Sequence, residues 1–456
     1  MTDSDDKWLL KNGVVIDPAS GFFDRADVLF SIGKPPKGAG TILAVGTDLP
    51  TTDAIVLDCT DLYITPGFID LHTHLREPGE THKETIETGC QAAVAGGFTT
   101  ICCMPNTRPP LDSPESVAFV RQRAETIGLC EVLPIGAVSL SLEHQRLTEM
   151  VALKEAGAIA FSDDGYPIQD ASFLRKVLEY SRACDGLVIL HPEDKSLTAG
   201  GQAHEGLIAL IMGLRGMPRE AEYLPVHRAI TLAEVAGARI HIAHISVKET
   251  VAALRQGKEM GVAVSGEVTP HHLALTDENL VGYRTEFKMN PPLREQTDRD
   301  AVIEGLRDGT IDCIATDHAP HSVEEKETTF DEAPFGVIGL ETALPIVWTE
   351  LVHKRNFPVL RLVDALTWSP AKVLRIKRGR LEPGWLANIT IFDPSKRWQI
   401  RKEQFKSRSR NTPFDGWEVQ GAVLLTFYQG RLVYHSPEVS CHLDRVPFLK
   451  GELVNG

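Results

Sequence analysis

Histidine and aspartate recur where apolar runs of this chain end, in a pattern suited to binding metal. Phe68-Ile69-Asp70-Leu71 leads into His72-Thr73-His74-Leu75-Arg76-Glu77-Pro78-Gly79. On a strand, residues two apart share a face, so His72, His74 and Arg76 are expected to point together before Pro78 ends it. Two imidazoles so placed suit zinc, although an isolated pair is more often a surface or core feature. The other runs end in the same way. Ile159-Ala160-Phe161 meets Ser162-Asp163-Asp164-Gly165, Val188-Ile189-Leu190 meets His191-Pro192-Glu193-Asp194, and Ile240 to Ala243 meets His244. Ile311 to Ala315 meets Thr316-Asp317-His318-Ala319-Pro320-His321. Ionisable groups rarely cap apolar strands without a task, so this convergence points to metal catalysis. Nitrogen and carboxylate ligands suit Zn²⁺, with Mn²⁺ or Co²⁺ as substitutes, and there are enough of them for two ions sharing a carboxylate. A bound water would have its pKa lowered towards ~7, giving a metal-bound hydroxide. Asp317 is the expected general acid/base. On the residues alone, Asp163 and Asp164 both remain candidates for the bridging carboxylate.

Strand ends converge only if the strands lie parallel in one sheet. Between about residues 67 and 370, short apolar segments alternate with longer amphipathic ones. Thr99 to Cys103, Ala158 to Phe161, Leu187 to Leu190, Ile240 to Ala243 and Ile311 to Ala315 are expected strands; Ser116 to Thr126 and Ala229 to Ala236 are expected helical. Alternation over ~300 residues predicts an α/β fold, a (β/α)₈ TIM barrel with its site at the C-terminal strand ends. The termini differ in style. Trp8 to Ile16 reads as two short strands about an Asn12-Gly13 hairpin turn, with further strands at Ile42 to Val45 and Ile55 to Leu57. Ile389 to Phe392, and the pair Val423 to Phe427 and Arg431 to Tyr434 about Gln429-Gly430, resemble them. Residues 1–66 and 371–456 are therefore expected to form one small composite β-sandwich beside a 67–370 barrel.

Composition bounds the function. Across 456 residues, 47 Lys plus Arg face 62 Asp plus Glu, a net charge of -15. That balance argues against nucleic-acid binding, which needs a basic face. No run approaches the ~20 apolar residues of a membrane span. Met1 to Lys11 has no apolar signal region. The eight cysteines, Cys441 among them, lack CxxC spacing and read as reduced, buried thiols. A cytoplasmic enzyme is expected.

These residues resemble the cyclic amidohydrolases, and within them the type I, bacterial dihydroorotases. The resemblance spans nearly the whole chain, from Asn12-Gly13 to Asn411-Thr412-Pro413-Phe414. It rests on Asp70 to Gly79, Met104-Pro105-Asn106-Thr107, Met289-Asn290-Pro291-Pro292-Leu293-Arg294 and Ala315 to His321. It implies that His72, His74, Asp164 and Asp317 hold one zinc ion and Asp164, His191 and His244 a second, with one or two ions per subunit. Related hydantoinases bridge their metals with a carboxylated lysine. Ala160 to Asp164 offers none, and the family register assigns the bridge to Asp164. Pro192 stands where the family usually has cysteine. Substrate contacts map onto His74, Arg76, Asn106, Asn290 and His321, with Phe335 and Gly336 in the loop Pro334 to Gly339. The implied reaction is the cyclisation of N-carbamoyl-L-aspartate to L-dihydroorotate in pyrimidine biosynthesis. A guanidinium and amide donors are the right partners for that dicarboxylate. The alternatives are an allantoinase- or hydantoinase-type enzyme and a non-catalytic subunit scaffolding aspartate transcarbamoylase. A homodimer and association with aspartate transcarbamoylase are open partner assignments.

Other polar residues have plainer readings. His271-His272 reads as a structural loop element, and His241, three positions from His244, as core or interface. His82, His144, His204, His227, His353, His435 and His442 read as surface residues. Glu324-Glu325-Lys326-Glu327 and the cluster Lys406, Arg408 and Arg410 read as solvated loops.

Overall fold

The computed structural model describes residues 7–34, 38–437 and 439. Eight parallel strands form the barrel wall: Phe68–Thr73, Phe98–Cys103, Glu131–Gly136, Ala160–Phe161, Leu187–Leu190, Arg239–Ile242, Val264–Val268 and Cys313–Ile314. They are hydrogen-bonded in chain order. A parallel bridge between Thr73 and His318 joins the last to the first. The His74 N–H donates to the His318 carbonyl at 2.8 Å, tightening that seam. The barrel interior is filled by side chains such as Ile69, Leu71, Cys102, Ile135, Ile189, Ala243 and Cys313.

Helices cover the outside. Pro114–Ile127 shows why one forms where it does. Ser113 caps it in a reciprocal box with Ser116, Pro114 opens the first turn, and Gly128 ends it at φ +71°. Its Val117, Val120 and Ala124 are buried against the sheet at helical spacing. The predicted Ala229 to Ala236 segment is the end of a longer helix, Glu220–Ala236, which carries Pro225 within it. Among the described residues no helix is long and apolar enough to cross a membrane.

Both termini build the second element, an eight-stranded, mostly antiparallel sheet. Tyr63–Pro66 pairs with Lys7–Asp17 on one side and Ile389–Gln399 on the other, joining the N- and C-terminal parts. The sheet folds over on itself, so that Phe30 and Phe427, from strands not adjacent in it, meet with ring centroids 5.2 Å apart. The expected N-terminal hairpin is not formed. Lys7–Asp17 is one strand with a bulge, where Asn12 takes φ +63° and register shifts between Leu10 and Gly13. Gly13 is needed there because a Cβ would fall 2.4 Å from Ile64 Cδ1. Asn-Gly supplies the same left-handed backbone to a bulge as to a turn, which is why local sequence did not separate them. The Gln429-Gly430 hairpin forms as expected, between Glu418–Tyr428 and Arg431–His435.

The seven described cysteines are free thiols, six of them buried; Cys441 lies outside the described residues. Four surface readings need correction. His204 is buried, because its strand Ala203–His204 pairs with Gly216–Met217 and its Nδ1 lies 3.1 Å from Arg294 Nη1. Lys326 is also buried, its ammonium held by the Thr285, Lys288 and Pro334 carbonyls. His144 and His435 are half-buried, while His82, His227 and His353 are exposed and His442 lies outside the described residues. His271 and His272 occupy a short buried helix, Pro270–Ala274, rather than a loop.

Candidate metal centre

The first barrel strand ends at Thr73, so His74 and Arg76 lie beyond it and not on it. Arg76 turns at φ +58°, and Asp317 and His244 take φ +48° and +34° after their own strands. Such backbone is unfavourable for residues with a Cβ and is found where a site fixes it. It aims these side chains into the barrel mouth.

There His72 Nε2 lies 3.4 Å from both Asp164 Oδ1 and Asp317 Oδ1. His74 Nε2 is 3.1 Å from Asp317 Oδ1 and 3.5 Å from Asp164 Oδ2. On the other side of Asp164, His191 Nδ1 is 3.5 Å and His244 Nε2 3.9 Å from Oδ1. His191 and His244 themselves meet at 2.8 Å. Asp164 is thus central, touched by all four histidines. Asp163 is turned away: it accepts from the Val138 and Ser139 backbone and from the Ser139 hydroxyl, with His144 at 3.2 Å. Pro192 leaves His191 in reach of the cluster.

The cluster fits a divalent cation. His72 Nε2 and Asp164 Oδ1 are buried without a hydrogen-bond partner, and each such atom costs ~1–3 kcal/mol unless something else satisfies it. His72–His74–Asp317 and His72–Asp164–His244 each converge within 4.8 Å. Electrostatics agree. Burial opposes protonation of His72, but the charges of Asp164 and Asp317 outweigh it and hold its pKa well above the usual imidazole value. Burial likewise opposes protonation of His191, whose bonds to Asp164 and Glu193 push it up to about 9. His244 goes the other way, down to about 3, through burial and the neighbouring His191 and His72. Burial favours the neutral form of Asp317, yet His72 and His74 keep it well below the usual carboxylate range. The carboxylates draw positive charge into a buried site, which is what a metal ion supplies.

Two of the expected substrate residues, Asn106 and Asn290, touch histidines of this cluster, and the others are linked through the loop that follows the last barrel strand. Asn106 bridges His74 Nδ1 at 2.9 Å and the Asp164 carbonyl at 3.2 Å. Asn290 Nδ2 is 3.5 Å from His191 Nε2. Arg76 donates through Nε to the Pro320 carbonyl at 3.1 Å, one residue from His321. His321 Nε2 donates to the Phe335 carbonyl at 2.8 Å. Gly336 follows at φ +125°, where a Cβ would lie 2.8 Å from Ala319 Cβ.

Sequence reasoning missed the carboxylates behind the ligands. Glu267 is fully buried and accepts from His72 Nδ1 at 2.8 Å and His241 Nε2 at 3.1 Å. That bond occupies Nδ1 and leaves Nε2 as the His72 nitrogen that faces the cluster. Asp70 anchors the Thr316 N–H and hydroxyl and the His72 N–H. The available signal was an acid inside an apolar run, Asp70 in Phe68 to Leu71 and Glu267 in Val264 to Val268.

A parallel barrel with a His/Asp cluster at its mouth defines a metal-dependent amidohydrolase, and known proteins narrow the class. A family model described as dihydro-orotase-like matches residues 62–250. A dihydroorotase of Caldanaerobacter subterraneus subsp. tengcongensis is 45% identical over 93% of this chain and 97% of its own. One of Pelotomaculum thermopropionicum is 47% identical over 94% and 98%. Among solved structures, an L-hydantoinase (dihydropyrimidinase) from Arthrobacter aurescens aligns with TM-score 0.83 and 25% identity, covering 94% of this chain and 96% of that one. A dihydropyrimidinase from Brevibacillus agri aligns with TM-score 0.80 and 26% identity, covering 94% and 95%. The chain belongs to the dihydroorotase family.

Proposed function

We propose that this chain catalyses the reversible cyclisation of N-carbamoyl-L-aspartate to L-dihydroorotate plus water in pyrimidine biosynthesis. In this reading His72, His74, Asp164 and Asp317 hold one zinc ion, and Asp164, His191 and His244 a second. What supports it is that Asn106 and Asn290 touch His74 and His191 of the cluster, while Arg76 is bonded to the Pro320 carbonyl beside His321. A guanidinium two residues past the His-x-His pair suits a ring bearing a carboxylate, and hydantoin, allantoin and dihydrouracil lack one.

Bound metal supplies Lewis-acid polarisation of the reacting carbonyl. The chain's own residues do the rest. Arg76 grips the ring carboxylate through its planar fork, Asn106 and Asn290 orient the ureido and amide groups, and His321 with Phe335 and Gly336 closes the far side. In hydrolysis, Asp317 takes a proton from the attacking water and returns it to the departing ring nitrogen. In ring closure it takes a proton from the attacking ureido nitrogen and gives it to the departing carboxylate oxygen, which leaves as water with a second proton taken from solvent.

A hydantoinase-type activity is the second reading, favoured by the likeness of fold. The test is a side-by-side assay of purified, metal-analysed protein on dihydroorotate, allantoin and dihydrouracil. Turnover of dihydroorotate above the other two is expected; turnover of either of those with none of dihydroorotate contradicts the proposal. The same reading makes this a cytoplasmic enzyme. We propose a homodimer, and association with aspartate transcarbamoylase, as its assemblies, both open to light scattering with and without that partner.

A further inference from the structure

Behind the second ligand group lies a carboxylate whose bonds reach both halves of the site. Glu193 is buried. Its Oε2 accepts from three donors: His191 Nε2 at 3.1 Å, Asn290 Nδ2 at 2.9 Å and Lys195 Nζ at 2.7 Å. Its Oε1 accepts from the Thr198 hydroxyl at 2.6 Å. All four partners face it as donors, so the group is the ionised carboxylate.

Two consequences follow from what a carboxylate can accept. The His191 proton is committed to Nε2, which leaves Nδ1 as the nitrogen towards Asp164 and His244. The Asn290 amide is fixed in orientation as well, since only its NH₂ end can face a carboxylate. One oxygen atom thus sets both a histidine of the ligand cluster and an amide of the substrate side. Glu267 differs, because its two partners are His72 and His241 and neither lies among the substrate residues.

We propose that Glu193 is a positioning residue that fixes His191 and Asn290 as one unit, so that metal affinity and substrate affinity depend on the same carboxylate. The substrate half rests on the dihydroorotase reading; the metal half does not. The experiment uses the full chain with Glu193→Ala and Glu193→Gln, each first checked for an unchanged circular dichroism spectrum. Zinc affinity is measured by chelator competition, and dihydroorotate affinity by calorimetry on zinc-saturated protein. Glu193→Ala is expected to weaken zinc binding about 10–100-fold and to weaken dihydroorotate binding about tenfold even when zinc is saturating. Glu193→Gln, which keeps one acceptor oxygen, is expected to fall between Ala and wild type in both. If Ala disturbs the fold, Gln alone is read, and a loss of at least threefold in both affinities supports the link. Zinc affinity within twofold of wild type overturns the proposal, and so does a zinc loss with unchanged dihydroorotate binding. If wild type itself fails to bind or turn over dihydroorotate, the functional reading falls, and the zinc arm alone then decides whether Glu193 positions His191.

Discussion

Asp317 and Arg76 divide the work at the residue scale. Asp317 faces His72 and His74, and the other cluster members remain if its charge is removed. Asp317→Asn is therefore expected to retain most of its metal while kcat falls about 10²–10⁴-fold in both directions, the usual worth of a general acid/base. Metal analysis beside initial rates checks this, and near-normal rates would remove Asp317 from that role. Arg76 is tested through KM. An ammonium cannot reproduce a planar fork, so Arg76→Lys should raise KM for dihydroorotate about tenfold with a smaller change in kcat. An unchanged KM would take Arg76 out of the substrate site. Most residues of this site were legible because the chemistry sits just after apolar runs, where a carboxylate or imidazole has little structural excuse. The bonds that orient them were not. Glu193 stands two residues after His191 in a run that reads as polar loop, and Glu267 lies inside its strand, so its contact with His72, 195 residues away, follows only from the barrel.

Among the elements, the strands and their parallel order were legible in the alternation of apolar and amphipathic segments, whereas local backbone choices were not. Asn12-Gly13 fits a hairpin or a bulge equally well, and the pairing of both halves of Lys7–Asp17 with one strand, Phe22–Ser31, makes it a bulge. Lys326 reads as solvated beside three glutamates, yet carbonyls from the neighbouring loops satisfy it in the interior. The loop after the last barrel strand hides another unexpected charge. Glu341 is half-buried where it accepts the Lys406 and Ser407 N–H groups, and desolvation pushes its carboxyl up from 4.5 to about 7. A raised folded value means that the folded chain binds more protons than the unfolded one between those pH values. Its contribution is thus present below about pH 4.5 and lost as pH rises through about 7, a change on the order of 3 kcal/mol. Glu341→Gln should flatten that part of the stability curve, leaving the variant no less stable than wild type at pH 8. Parallel melting curves from pH 4.5 to 8 would contradict this.

For the whole molecule, the net charge does not set the field at His321. The net charge is -15, yet Arg76, Lys326 and Lys83 all bear on His321 and, after burial, hold it down to about 3. Charges beyond about 8 Å are screened, so a dianionic substrate responds to the pocket and not to the total. The two parts of the fold cooperate there. We propose that residues 1–66 and 371–456 form one domain and 67–370 the other, and a segment of the first reaches the mouth of the second. Asn411 Nδ2 donates to the Ala319 and Gly336 carbonyls at 3.0 and 3.2 Å, and its Oδ1 accepts the His321 N–H at 3.2 Å. Asn411→Ala should therefore raise KM several-fold with a lesser effect on kcat, since it releases the loops and not the ligand cluster; an effect on kcat alone would contradict that coupling. The most direct measurement of the central claim is a zinc titration of the chelator-stripped protein, with dihydroorotate turnover and bound zinc followed together. The stripped protein is predicted to be inactive and to regain turnover in proportion to the zinc it binds, saturating by two ions per chain. Full turnover of dihydroorotate by the metal-free chain would contradict it.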